Sequence, residues 1–131
     1  MSDIESIARR VVDAATGSEG IEVRVSRSRD TEGDILHGAV ESLTVAGSEA
    51  ISVRVVVDGR VGVASADSLA PDIVDAVLAD ARDNATFAEP DEFAGLATPA
   101  EIGDVRAVDL DLWRDDRSEE HTSELQSRET I

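Results

Sequence analysis

Residues 50–65 constrain the fold of this chain more than any other stretch. Two β-branched runs, Ile51 to Val57 and Arg60 to Val63, flank the dipeptide Asp58-Gly59. A two-residue type I′ hairpin turn needs φ > 0 at both central positions, which Gly adopts freely and Asp tolerates. With that turn, Val57 pairs with Arg60, Val55 with Gly62 and Val53 with Ala64. One face of the hairpin then carries Ile51, Val53, Val55 and Val57 beside the small residues Gly62 and Ala64. Large side chains on one strand and small ones on the other leave a groove suited to a helix. The opposite face, with Arg54, Val56, Val61 and Val63, is too apolar for a plain solvent face.

Helix signals stand on both sides of this hairpin. Ser2 and Glu5 have capping-box spacing, and Ile4, Ile7, Ala8, Val11, Val12 and Ala15 follow on one stripe before Gly17, predicting a helix over 3–15. Pro71 suits the first turn of a second helix whose buried stripe is Ile73, Val74, Val77, Leu78, Ala81 and Ala85. Asp72, Asp75, Asp80 and Asp83 form its solvated side. Between the first helix and the hairpin, Ile21, Val23 and Val25 alternate with Glu22, Arg24 and Ser26 as a half-buried strand. Arg24, Arg27 and Arg29 could gather an anion, but on so acidic a chain they are expected to pair with carboxylates. From Asp34 to Val45 the alternation breaks, and Gly38-Ala39 reads as a bulge in one long strand or a turn between two short ones. The long bulged strand is the favoured reading, with Gly47-Ser48-Glu49 turning the chain into the hairpin. The expected fold class is α+β: an antiparallel sheet of three to four strands with two helices packed on one face.

Composition limits the function. The formal net charge is −17, which argues against nucleic acid or an anionic membrane as partner. There is no Cys, hence no disulfide, thiolate metal site or Cys nucleophile. No signal-peptide-like or membrane-length apolar run is present, so a cytoplasmic location is expected. His37 lacks a second His or Cys nearby and reads as a surface or packing residue, since a metal site needs three or four converging donors. All twelve basic residues are Arg, a coding bias rather than a functional signal.

The chain resembles the amino-terminal domain of the TldD/PmbA family, known as modulators of DNA gyrase and as metallopeptidases. The resemblance rests on Glu22 to Ser28, Gly38 to Ser42, Ile51 to Ser65, Pro71 with its helix, Ala81 to Ala85, Pro90 to Leu96, and Asp109 to Trp113. It covers about residues 3–116. Family members usually place Ser before the helix-opening Pro, where Ala70 stands here; Ser68 could substitute as a cap. The resemblance implies that TldD-type and PmbA-type subunits pair, as homo- or heterodimers. It also implies that the complete complex acts on peptides or unfolded proteins. A zinc ion is expected in the full-length TldD-type subunit, on an HExxxH motif whose imidazoles hold the metal and whose Glu serves as base. This chain has only His37 and His121 and lacks that motif, so no catalytic, cofactor-binding or metal residue is carried over.

The resulting domain expectation is an α+β domain over 1–85, an extended linker toward a further domain over 86–116, and a tail over 117–131. The tail sequence from Arg117 to Ser127 is similar to a translated sequencing adapter, and disorder is expected there. Without 117–131, which hold two Arg and four Glu, the charge balance is −15 and the acidic reading stands. Arg54, Val56, Val61 and Val63 are the candidate interface residues. Three functions are open to such a chain. One is a scaffold and interaction domain of a TldD/PmbA-family subunit, inactive alone. A second is a stand-alone acidic protein-binding module using the outer sheet face. A carboxylate-only hydrolase is the third, and it has no motif to support it. The first accounts for the linker and the tail together.

Overall fold

A computed structural model describes residues 3–112 of the chain. Helix α1 (Asp3–Asp13) leads into strands β1 (Gly20–Leu36), β2 (Ala39–Val57) and β3 (Arg60–Ala66). Helix α2 (Pro71–Phe87) and a single turn, α3 (Pro99–Ile102), follow. The sheet is antiparallel in the order β1-β2-β3, so the fold is the expected α+β arrangement. The hairpin pairs Val57 with Arg60, Val55 with Gly62 and Val53 with Ala64. Its turn has φ 51° at Asp58 and 73° at Gly59, the positive pair that type I′ requires.

One face of the sheet and both helices enclose the core. Val11 of α1 meets Ile21, Ile51, Val53 and Val55 from the sheet and Val74, Val77, Leu78, Ala81 and Ala85 from α2. Alternation places these sheet residues on one side. The groove at Gly62 receives α2: a Cβ built there would overlap the Ala81 carbonyl oxygen and the Ala85 backbone nitrogen, with the Ala85 Cα at 2.9 Å. Among the described residues no aromatic side chain enters this core; Phe87 and Phe93 are both exposed.

Polar contacts lock the layers. Glu19, whose side chain is 8% exposed, accepts from Arg82 Nε at 2.7 Å, and Arg82 Nη2 also donates to the Ala14 carbonyl at 2.8 Å. The loop before β1 is thereby tied to α2. Arg60 donates to the carbonyls of Thr86 and Ala88, covering the C-terminus of α2, a helix with no basic residue in its own last turn. The Arg82 hydrogen bonds hold the Glu19 carboxyl below its ordinary value of 4.5, against burial, which acts the other way. A carboxyl depressed in the folded state stabilises above its unfolded value and loses that contribution as pH falls through the folded one. Urea unfolding should therefore show stability falling below about pH 4.5, with a smaller fall in Glu19→Gln. Arg82 is 37% exposed and water screens the pair, so the substitution should cost about 1–2 kcal/mol near neutral pH.

The structure differs from the sequence expectation between β1 and β2. The turn is His37-Gly38, with φ 54° and 79°, a second two-residue hairpin, and not a bulge at Gly38-Ala39. The bulge lies one step back, where Asp34 pairs with Ser42 but Ile35 pairs with Val40, leaving Glu41 as the extra residue. Nor does the chain turn at Gly47-Ser48-Glu49: β2 runs straight through, with Gly47 opposite Arg29 and Glu49 opposite Arg27. Gly was read as a breaker there, yet a strand tolerates it where the partner ladder is continuous. Among the described residues the first helix ends at Asp13, not residue 15. Its expected cap, Ser2, lies outside them. Ser68 does not cap α2: its Oγ accepts from the Ala70 N–H, and the helix has no side-chain cap. The expected tail over 117–131 also lies outside the described residues.

Candidate functional site

Since β3 covers β2 only from Ile51 onward, the outer halves of β1 and β2 project as a two-stranded arm with both edges free. The arm is amphipathic. On the core side, past the reach of the helices, lie Arg29, Thr31, Gly33 and Ile35 with their partners Gly47, Val45, Leu43 and Val40. Ile35, Val40, Leu43 and Val45 are each half or more exposed. The other side carries Asp30, Glu32 and Asp34, with Ser28 and Ser48 hydrogen-bonded at 2.6 Å and Ser42 donating to Asp34 at 2.6 Å. His37 stands at the tip. A two-stranded ribbon alone in water is marginally stable, and among the described residues nothing covers the apolar face of this arm.

The four residues expected at an interface lie on the outer sheet face and do not share one environment. Arg54 Nη1 donates to Glu22 at 3.4 Å across the strands. Val56 is buried outside the helix-side core, Val61 is half-buried, and Val63 is 52% exposed. This face, too apolar for a plain solvent face, is covered at one end by the chain itself. After α2 the chain crosses it: Asp91 N–H donates to the Gly59 carbonyl at 2.8 Å, and Leu96 sits over Gly20, the residue paired with Val56. Ala94 and Leu96 are the half-buried residues of that crossing. Within 86–96 it is thus Leu96 that comes onto the sheet, while Phe87 and Phe93 stay exposed.

The arginine cluster separates. Arg27 donates to Glu49 at 2.9 Å and to Asp3 at 3.1 Å, as expected for an acidic chain. Arg24 and Arg29 have no side-chain partner among the described residues. An open cleft of about 440 Å³ lies between the start of α1 and the approach to α2, lined by Asp3, Arg10, Arg27, Glu49 and Pro71. Its two cations are already engaged, Arg10 with Asp75 at 3.1 Å. Among the described residues no three His, Cys, Asp or Glu side chains gather to hold a metal ion, so the described residues do not fit a zinc centre. No described helix is long and apolar enough to cross a membrane.

The sequence reading missed the arm. Its signal was present: Ile35 and Val40 flank His37-Gly38, and Leu43 and Val45 alternate behind it. The single extra residue Glu41 shifts the alternation and hides the pairing.

Residues 21–85, which hold the sheet and α2 up to Ala85, match a family model described as PmbA/TldA metallopeptidase domain 1. The chain belongs to the TldD/PmbA family. It is 30% identical over 129 residues to the metalloprotease PmbA of Escherichia coli O157:H7, covering 98% of this chain and 27% of that protein. That span is wider than residues 3–116, where the resemblance was read. Among solved structures it is similar to TldE from Thermococcus kodakarensis, with a TM-score of 0.60 at 26% identity, over 82% of this chain and 23% of that one. The chain thus spans about a quarter of the length of the relatives it matches.

Proposed function

We propose that this chain provides the scaffold and interaction domain of a TldD/PmbA-type metallopeptidase subunit, without peptide-bond chemistry of its own. The observation that carries the reading is the projecting arm, whose apolar face continues the core side of the sheet and, among the described residues, meets no helix. Its partner is another TldD/PmbA-family subunit, in a homo- or heterodimer. Peptides or unfolded proteins are substrates of the complete complex, and zinc belongs to a TldD-type subunit with the HExxxH motif. The setting is cytoplasmic, in keeping with an acidic chain free of cysteine. A charge of −17 favours a protein partner over DNA, so any bearing on gyrase is indirect. The exposure of Val63 favours a second reading, a stand-alone acidic module binding through the outer face. The covered Val56 and the engaged Arg54 leave that module a narrow surface.

Sedimentation of the chain mixed with a full-length TldD-type subunit tests the proposal. A complex is expected, weakened by Val45→Asp on the arm. Independent sedimentation at all concentrations, or a complex weakened only by Val63→Asp, would count against it.

A further inference from the structure

The segment that crosses the outer face after α2 is built as a strap. It starts at Ala88, where the backbone leaves the helix extended at ψ 149° and Arg60 holds the carbonyl. Two points fasten it, and a glycine lies under each. At the hairpin turn, Asp91 N–H donates to the Gly59 carbonyl, and a Cβ on Gly59 would stand 3.0 Å from the Asp91 carbonyl oxygen. At the start of β1, a Cβ on Gly20 would stand 3.0 Å from Leu96 Cδ1. Glycine at both seats lets the strap approach the sheet backbone closely. Between the fasteners the strap turns on Asp91: its Oδ1 accepts from Phe93 N–H at 2.9 Å and its carbonyl from Ala94 N–H at 3.1 Å.

Gly20, Val56 and Val61 form one row of paired residues across the three strands. Leu96 lies over the first of them, and Val56 in the middle is 9% exposed, although it stands outside the helix-side core. Val63 is on the same face, two residues further along β3, and is 52% exposed. The difference between two valines of one face marks the extent of the cover.

The fastening is light. One backbone hydrogen bond and one leucine hold the strap to the sheet beyond Ala88, and Phe93 within it is 88% exposed. A segment with few buried contacts opens by itself while the core stays folded. We propose that residues 88–96 open and close on the folded domain, released at Asp91 and Leu96, and that opening joins Val56 and Val61 to Val63 as one apolar surface. The strap thereby sets how much apolar surface the outer face offers. It involves neither the arm nor the arm's apolar side, so it stands or falls apart from the interaction-domain reading.

The chain has no Cys, so a single introduced thiol reports on the cover. Val63→Cys, Val56→Cys and Val53→Cys are compared by their rates of reaction with an aromatic disulfide reagent under native conditions. Val63→Cys should react fastest, Val56→Cys roughly tenfold or more slowly, and Val53→Cys, 0% exposed under the helices, slowest of all. Adding Leu96→Ala should speed Val56→Cys about tenfold and leave Val53→Cys unchanged. Val56→Cys as fast as Val63→Cys would mean that no strap is closed, and Val56→Cys as slow as Val53→Cys that it never opens. Joint acceleration of Val56→Cys and Val53→Cys by Leu96→Ala, or of neither, would equally overturn the proposal. Hydrogen exchange in the unmodified chain keeps the test if Val56→Cys fails to fold. The Asp91 amide should exchange faster than that of Val53 and more slowly than those of residues 104–110; exchange in step with either would contradict an opening strap.

Discussion

Gly62→Ala should unfold this protein at markedly lower urea than the parent chain. A Cβ at residue 62 has nowhere to go: it overlaps the Ala81 carbonyl oxygen and the backbone of Ala85. These are helix backbone atoms, which cannot swing aside as a flexible side chain can. Either α2 lifts from β3, exposing Ala81 and Ala85, or the strand bends away. Overpacking of this kind costs about 3 kcal/mol or more, against a total stability of roughly 5–15 kcal/mol for a domain of ordinary size. Gly62→Val should leave the chain largely unfolded at room temperature. Far-ultraviolet circular dichroism through a urea titration reads both. A Gly62→Ala midpoint equal to the parent's would show that the helix does not seat in this groove.

Ile51→Ala and Val45→Ala should differ severalfold in cost, although both lie on the same side of β2. Ile51 is 1% exposed between α1 and α2, opposite Val25 and Ala66. Truncation removes three buried carbons and leaves a cavity, so a loss of about 2–5 kcal/mol is expected. Val45 is 50% exposed on the arm, and its truncation should stay within about 0.5 kcal/mol in the monomer. The contrast locates the boundary where β2 passes from core strand to projecting arm. Equal losses at the two sites would mean that the arm is part of the folding unit in the isolated chain.

The hairpin at Asp58-Gly59 was legible because several local signals coincide there: turn residues, β-branched flanks and a small residue opposite a large one. Its register followed from the turn alone. Both main helices were legible from their stripes, since a 3.6-residue period needs no knowledge of the partner. The arm was not, for two physical reasons. His at a positive-φ position is a weaker turn signal than Asp before Gly. The extra residue Glu41 also breaks the two-residue period on which strand reading depends. The crossing of Leu96 over Gly20 was hidden because a long-range contact of one side chain with bare backbone leaves no periodic mark. The outer face was recognised as too apolar, but part of its cover lies within the chain. The surface with bare apolar residues lies instead on the helix side, beyond where the helices end.

The most direct test of the central claim is cleavage of an unstructured peptide by the purified chain in the presence of zinc. No turnover above the protein-free blank is predicted, with or without a chelator, because His37 at the arm tip has no converging donors among the described residues. Cleavage that follows the chain through purification and is abolished by chelation would contradict the account.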